Sequence, residues 1–419
     1  MFKLILLQYI KNKKIKLMKL FSLGELYVSD FIPIQKETEK YELNLMLEEN
    51  TGAIRLEKPA PLSSMYGKYW YRSGINQTMK DELKNVVDSI TKVVKLNEND
   101  IWLDIACNDG SMFDYISKNI IKIGIDPADD SFKIESEKKA DLIIQDFFSY
   151  ESYSKCKFGK MKAKVVTVIA MFYDLDNPDT FLQDVYKVMD DDGLLVMQMS
   201  YTPLMLKQLA FDNICHEHIY YYSLFNIKKI LERNGFKIVD CTLNDINGGS
   251  FRVYIKKDGF ENNFYTQPYR DVSDFRIQSL LKYEETLKLD QYETWIDFYK
   301  RILELKEKTV NAIKYAKSQG KTIWGYGAST KGNTTLQYFG LDNTLIDGIA
   351  DRSPYKWGLK TIGTNIPICS EDEMRKCHPD YLLILPWHFI NEFKEREREY
   401  LIRGGKFIVP CPQFEIIGY

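Results

Sequence analysis

The sequence has no cysteine before Cys107, and its seven cysteines, Cys107, Cys156, Cys215, Cys241, Cys369, Cys377 and Cys411, never form C-x-x-C pairs. That spacing excludes zinc fingers and a disulfide framework, and scattered free thiols fit a cytoplasmic chain. Long apolar runs are also missing. Phe2-Lys3-Leu4-Ile5-Leu6-Leu7 is too short to span a bilayer and too short for a signal peptide, and no small-residue cleavage site follows it. Residues 1–17 are expected to be dispensable, with Met18 as the initiator. Net charge is only −2, so no basic field draws the chain to nucleic acid or to an acidic membrane. Histidine is scarce as well, four in 419 residues.

What is present is ample apolar sequence, 45% of residues, enough for two or three cores at roughly 150 residues each. The run Ile101-Trp102-Leu103-Asp104-Ile105 leads through Ala106-Cys107-Asn108-Asp109-Gly110-Ser111 into Met112-Phe113-Asp114-Tyr115-Ile116. It reads as a buried strand, a tight loop and a helix start, the opening of a βαβ unit. A pyrophosphate site wants several glycines and no nearby negative charge. This loop instead carries Asp104 and Asp109, and acids suit a cation. S-adenosylmethionine has an ammonium and a sulfonium but no phosphate. The next strand, Ile121-Lys122-Ile123-Gly124-Ile125, ends in Asp126-Pro127, where a doubly wound fold holds a ribose diol. A third ends near Asp146-Phe147, placed for the adenine amino group. The expected cofactor set is Asp104, Ala106, Asn108, Gly110, Asp126, Pro127, Asp146 and Phe147; the alternative is a structural βαβ unit with surface acids.

Residues 18–82 alternate short apolar runs with turns and read as a small β-rich module. An aromatic cluster, Tyr66-Gly67-Lys68-Tyr69-Trp70-Tyr71-Arg72-Ser73-Gly74, is either packing or the lip of a pocket. Residues 78–96 have helical spacing, with Val86, Val87, Ile90 and Val93 on one face. Further strands at 165–170 and 194–199 complete a doubly wound sheet. Charged helical sequence runs from about 273 to 318, and a second βαβ start follows at Thr322-Ile323-Trp324-Gly325-Tyr326-Gly327. The expected architecture is α/β in three parts. A small β-rich module (1–82) precedes a class I methyltransferase doubly wound sheet (83–257), then a helical linker and a C-terminal Rossmann-like domain (258–419).

Two of the four histidines fall in the run Asn213-Ile214-Cys215-His216-Glu217-His218-Ile219-Tyr220-Tyr221-Tyr222-Ser223. On an extended segment residues i and i+2 point the same way, so His216 and His218 are conceivable zinc ligands, but only Cys215 offers a third. No metal is expected. Buried imidazoles under a loop remain an alternative to acid–base work. Methylating carbon needs a nucleophilic carbon, and the cheapest source in a sugar is an enolate formed by taking a proton next to a ketone; the base should have a pKa near the operating pH, which favours imidazole. A carboxylate beside it raises its basicity, and phenols or a guanidinium can hold the enolate oxygen. His218, Glu217, Tyr71, Tyr220, Tyr221, Tyr222 and Arg252 supply these types.

Several motifs resemble the sugar C-methyltransferases, enzymes that act on nucleotide-linked keto-deoxysugars. They are His216-Glu217-His218-Ile219-Tyr220-Tyr221-Tyr222, Gly248-Gly249-Ser250-Phe251-Arg252, Gly325-Tyr326-Gly327-Ala328-Ser329-Thr330-Lys331-Gly332-Asn333 and Ala350-Asp351-Arg352-Ser353-Pro354. Tyr71-Arg72-Ser73-Gly74 and Leu385-Pro386-Trp387-His388 fit the same pattern. The resemblance implies an N-terminal zinc module, a central S-adenosylmethionine domain and a C-terminal domain that helps hold the nucleotide sugar. It implies His218 as base, Glu217 as its helper and Tyr71 as an active-site phenol, with Cys215, His216 and Arg252 beside them. Tyr222, Ser250, Gly327, Lys331 and Asn333 would face the substrate. The chain departs from the family twice. It lacks both cysteine pairs of the zinc module, with Glu48 and Thr51 where the second would lie, so zinc is expected to be absent; and Cys215 stands where the family has tyrosine. The leading expectation is an S-adenosylmethionine-dependent C-methyltransferase of a nucleotide-linked 4-keto-6-deoxy sugar, serving branched deoxysugar or surface polysaccharide synthesis. The alternatives are an O- or N-methyltransferase, a nucleotide-sugar oxidoreductase using Gly325-Tyr326-Gly327, or a non-catalytic relative.

Overall fold

The structure is a computed structural model that describes residues 16–34, 38–61, 65, 69–260 and 269–418. Residues 1–15 of the segment expected to be dispensable, and Tyr66, Gly67 and Lys68 of the aromatic cluster, lie outside the described residues.

The N-terminal strands are β1 (Leu17–Tyr27), β2 (Phe31–Ile32), β3 (Lys40–Glu48) and β4 (Ala53–Leu56). Helix α1 (Gln77–Thr91) follows, its N-terminus capped by Asn76, whose Oδ1 accepts from the Thr78 amide at 2.9 Å. Strands β5 (Ile101–Ile105), β6 (Ile121–Ile125), β7 (Leu142–Ile144), β8 (Ala163–Ile169) and β9 (Met189–Ser200) come next, with α2 (Asp130–Glu137) and α3 (Pro178–Val188) among the connections. Then come β10 (Tyr220–Tyr221), α4 (Leu224–Arg233), β11 (Phe236–Asn244) and β12 (Ser250–Lys257). Two long helices, α5 (Tyr269–Leu287) and α6 (Tyr292–Ser318), lead to β13 (Ile323–Tyr326), α7 (Thr330–Phe339), β14 (Gly348–Ala350), β15 (Lys360–Thr361), β16 (Ile368–Cys369), β17 (Tyr381–Ile384), β18 (Lys406–Val409) and β19 (Glu415–Ile417).

The central sheet has the order β11-β12-β9-β8-β5-β6-β7, with β5 to β9 parallel and β12 antiparallel to both its neighbours. All five residues of β5 are buried, which is why its sequence is a continuous apolar run broken only by Asp104. The helix expected after it shrinks to one 3₁₀ turn, Ser111–Tyr115; α1 packs on that turn instead, burying Val86, Val87 and Ile90 with Met112 and Phe113. The C-terminal sheet runs β16-β14-β13-β17-β18-β19.

The N-terminal strands are not a separate lobe. The sheet β1-β3-β4 is completed by β10, and β2 pairs with β15. One hydrophobic core joins Leu43, Leu45 and Leu56 of these strands to Phe211 of the central region, Trp295 of α6 and Ile323 of β13. Where the resemblance places zinc ligands, Glu48 accepts from Thr51 Oγ1 at 2.8 Å and pairs with Arg55 at 3.3 Å, and Arg55 reaches Tyr220 Oη at 3.0 Å. Among the described residues no group of His, Cys, Asp and Glu could hold a metal ion, and no helix is long and apolar enough to cross a membrane.

Candidate active site

The order of the central sheet reverses at β5 and β8, and the loops leaving β5, β6 and β8 open at the carboxyl ends, where doubly wound sheets hold ligands. These turns hold backbone strain: Ala106, Asn108 and Ala170 have φ of 61°, 54° and 55°, a region sparsely used by residues with a Cβ. The surroundings fix them there. The Ala106 amide donates to the Ile125 carbonyl at 2.8 Å, and the Ala170 amide to the Gln198 carbonyl at 2.7 Å. Asn108 donates through its amide to Asp126 Oδ2 at 2.8 Å and through Nδ2 to the Tyr71 carbonyl at 2.9 Å, while its Oδ1 accepts from the Ser73 amide at 3.0 Å.

A cavity of about 490 Å³ opens over these loops, a size suited to a small molecule. Asp104, Asp126, Asp174, Asp176 and Asp184 line it, and among the described lining residues there is no lysine or arginine. Burial raises the Asp104 carboxyl to about 7 although Thr167 Oγ1 donates to it at 2.6 Å. Burial likewise raises Asp126, against the pull of amides from Ala128 and Asn108. An acid-lined cavity without a cation fits the ammonium and sulfonium of S-adenosylmethionine and not a pyrophosphate. Asp104, Ala106, Asn108, Asp126, Pro127 and Phe147 of the expected set are in its wall. Gly110 is not; it packs on α2, where a Cβ would lie 2.9 Å from Ser136 Cα. Asp146 is exposed outside the wall, its Oδ1 accepting from the Phe147 amide at 2.8 Å.

Beside the cavity, Lys331 of α7 reaches into the central domain. Its Nζ donates to Asn213 Oδ1 at 2.5 Å and to the carbonyl of Asn247, a cavity-lining residue, at 3.4 Å. Around this cation gather Asp174, Asp212, Cys215, Glu217, His218 and His388, each of which feels its charge. Burial pushes His218 down to about 3, with Lys331 adding to the effect and a hydrogen bond to the Asn213 backbone opposing it. The imidazole is therefore neutral at rest, and a weaker base than the near-neutral one expected from the sequence, because burial and Lys331 both disfavour its charged form. It lies against the Tyr173 ring at 4.3 Å between centroids. Burial raises Glu217 to about 7, and Cys215 Sγ contacts its Oε2 at 3.7 Å.

A second, smaller crevice of about 150 Å³ lies at the carboxyl ends of β13, β14 and β17, the reversal point of the C-terminal sheet. Its wall carries Arg72, Arg352, Lys356 and Arg396 against Asp351 and Glu371. Gly327 lines it with φ +84°, and a Cβ there would lie 2.6 Å from Pro386 Cγ. Tyr71, 39% exposed, lines both openings.

Five of the expected residues are placed elsewhere. His216 Nε2 faces the Tyr41 carbonyl at 3.1 Å, so the two imidazoles of the run diverge. Arg252 is buried in a clasp between sheet and α1, donating to Gln198 at 2.8 Å and Glu82 at 2.7 Å. Tyr222 is buried among Phe172 and Tyr220. Ser250 Oγ donates to the Ile246 carbonyl at 2.9 Å, and Asn333 Nδ2 donates to Ser29 Oγ and the Asp30 carbonyl at 3.0 Å. Sequence reasoning misses Asp174, Asp212 and His388 as members of the site. For Asp174 one signal exists, an acid just past the carboxyl end of a strand beside the reversal point.

Two family models match, one described as a methyltransferase domain over residues 75–240 and one as a C-methyltransferase C-terminal domain over residues 245–412. The C-methyltransferase NovU of Streptomyces niveus is 26% identical over 354 residues, covering 84% of this chain and 82% of that protein. Among solved structures, magnesium protoporphyrin IX methyltransferase of Synechocystis with bound S-adenosylmethionine is 12% identical with a TM-score of 0.32, covering 44% of this chain and 81% of that one. A methyltransferase of Clostridium acetobutylicum is 14% identical with a TM-score of 0.33, covering 43% and 91%.

Proposed function

We propose, from the premise that the chain belongs to the S-adenosylmethionine-dependent C-methyltransferases, that its acceptor is a nucleotide-linked 4-keto-6-deoxy sugar methylated at a ring carbon beside the ketone. The observation that carries this reading is the unprotonated His218, gathered with Glu217 around Lys331, whose Nζ donates to the carbonyl of cavity-lining Asn247 while its chain neighbour Thr330 lines the crevice rimmed by arginine and lysine. The cofactor, held by Asp104, Asn108 and Asp126, supplies an electrophilic methyl group. The crevice suits a diphosphate, because guanidinium groups bind phosphate oxygens through charge-assisted hydrogen bonds. The glycine turn at Gly327 lets the backbone approach closely.

His218 takes the proton from the carbon beside the ketone, within reach of its unprotonated imidazole. Glu217, poised to ionise near neutrality, stabilises the imidazolium so formed. Tyr71 at the shared lip orients the sugar between the two openings. A product of this kind is a branched deoxysugar, used in surface polysaccharides or secondary metabolites, made in the cytoplasm.

The test is to incubate the protein with labelled S-adenosylmethionine and a panel of keto-sugar nucleotides and locate the new methyl by NMR. A methyl on oxygen or nitrogen, with no solvent deuterium entering the ring, would replace carbon methylation as the reaction. His218→Ala abolishes turnover with cofactor affinity within a few-fold; normal turnover would remove His218 from the chemistry.

A further inference from the structure

Asp174 ends the short turn Phe172–Asp174 that follows β8, so the backbone carries it past the strand end into the cavity wall. Its Oδ1 is sealed from solvent and meets no hydrogen-bond partner, whereas buried polar atoms are nearly always paired. Of the ionisable groups gathered round Lys331, it alone among the described residues also lines the cofactor cavity. The same turn supplies Tyr173, whose ring flanks His218.

We propose that the Asp174 carboxyl is a further catalytic group, donating a hydrogen bond to the ketone oxygen of the acceptor as that oxygen takes on enolate charge. The inference rests on the enolate reading above. The C–H bond beside the ketone breaks and its proton passes to His218. The electron pair becomes a C=C bond, and the carbonyl π pair moves onto oxygen, where the Asp174 O–H meets it. The enolate carbon takes the methyl group of S-adenosylmethionine as the methyl–sulfur bond breaks and its electron pair stays with S-adenosylhomocysteine; the carbonyl reforms, Asp174 keeps its proton, and the proton on His218 leaves to solvent. The carboxyl suits this role because burial raises it well above the usual range; Glu217 adds to that, and Lys331 opposes it. The other groups near it, Tyr69, Tyr173, Tyr221 and Cys215, have their ionisation raised by burial and stay neutral. Asp174 thus provides a strong donor where Cys215, in the place of the family's tyrosine, offers only a weak one.

Asp174→Asn keeps a donor and Asp174→Leu removes it. Three quantities are compared with the acceptor identified from the panel: kcat, exchange of solvent deuterium into that acceptor with S-adenosylhomocysteine bound, and calorimetric affinity for S-adenosylmethionine. The leucine variant is expected to lose about 10²- to 10³-fold in both rates, as when one oxyanion donor is removed, and the asparagine variant less than about tenfold. Both keep cofactor affinity within about threefold. Wild-type rates fall as pH rises through the ionisation of this carboxyl, and the asparagine variant lacks that fall. Equal losses in the two variants, large or small, or lost cofactor affinity at unchanged rates, overturn the proposal. Where exchange is too slow to read, the kcat comparison and its falling pH limb decide. Wild-type protein without exchange, together with a fully active His218→Asn variant, overturns the enolate reading itself and this inference with it.

Discussion

The two openings that share Tyr71 are built on the same architectural device, the reversal point of a parallel sheet, yet their linings are opposite in charge. The central cavity carries five aspartates and no lysine or arginine among its described residues; the C-terminal crevice carries three arginines and a lysine against two acids. Their acids also differ in company. In the crevice Glu371 pairs with Arg375 at 3.1 Å and Arg396 at 2.9 Å and accepts from Tyr326 Oη at 2.9 Å. Near the cavity, Asp104, Asp174 and Glu217 make no ion pair among the described residues, and burial raises all three. Fold position therefore sets where the two openings lie, and the side chains of the loops set the sign of charge that each presents.

The sharpest way to break this comparison is to reverse one charge. Asp126→Lys is expected to weaken S-adenosylmethionine binding by more than about 10³-fold, because an unpaired lysine would face the cationic ligand. Affinity for the keto-sugar nucleotide should stay within about threefold, and calorimetry on the folded variant reads both. Equal losses for the two ligands would mean that the linings do not act separately.

A second contrast is in stability. The folded Glu217 carboxyl titrates at about 7 against an ordinary 4.5, so the folded state holds a proton that the unfolded state has released. Its contribution is lost as pH rises between those values, about 3 kcal/mol in all. Glu217→Gln should therefore be more stable than the wild type by up to about 3 kcal/mol at pH 8 and nearly equal near pH 4. Glu371→Gln leaves its two arginines without that partner and should cost about 2 kcal/mol. Thermal denaturation at the two pH values separates the signs; a destabilised Glu217→Gln at pH 8 would contradict the unpaired state of that acid.

How much of this was legible in the sequence follows the same division. The cavity loops were legible because each lies at the end of an apolar run, and Asp104, Asn108 and Asp126 follow from strand order alone. The central sheet followed from the same periodicity. Asp174 did not, since its isolation depends on which side chains of the run 212–218 and of α7 close over it. Arg252 has the chemistry of a catalytic guanidinium, but Glu82 and Asn85 from α1 consume its donors, a contact between segments about 170 residues apart. His216 and His218 read as a pair on an extended strand. They diverge because the chain turns there, with the His218 amide donating to the Cys215 carbonyl at 3.2 Å.

Arg72 tests the crevice. Its guanidinium lies over the Phe132 ring at 3.8 Å and the Tyr355 ring at 4.6 Å, and donates to Ser131 Oγ at 2.5 Å. Packing fixes its plane, and the residue lines the crevice. Arg72→Ala is expected to raise KM for the keto-sugar nucleotide by about 10- to 100-fold and to flatten its salt dependence. Affinity for S-adenosylmethionine should move less than about threefold. An unchanged KM would take the diphosphate away from this crevice.

Cys215 gives the smallest expected effect and bears on what a thiol contributes where the resemblance implies a tyrosine. The side chain is buried and its ionisation is pushed well above the ordinary thiol range by burial and by Glu217. A thiol held neutral in this way is inert as a nucleophile or base. Its contact with Glu217, 3.7 Å from Sγ to Oε2, is a weak hydrogen bond that a serine hydroxyl reproduces at closer range. Cys215→Ser should therefore leave turnover within about threefold, less than 1 kcal/mol. A loss above about 10²-fold would assign the thiol itself a part in the proton transfer.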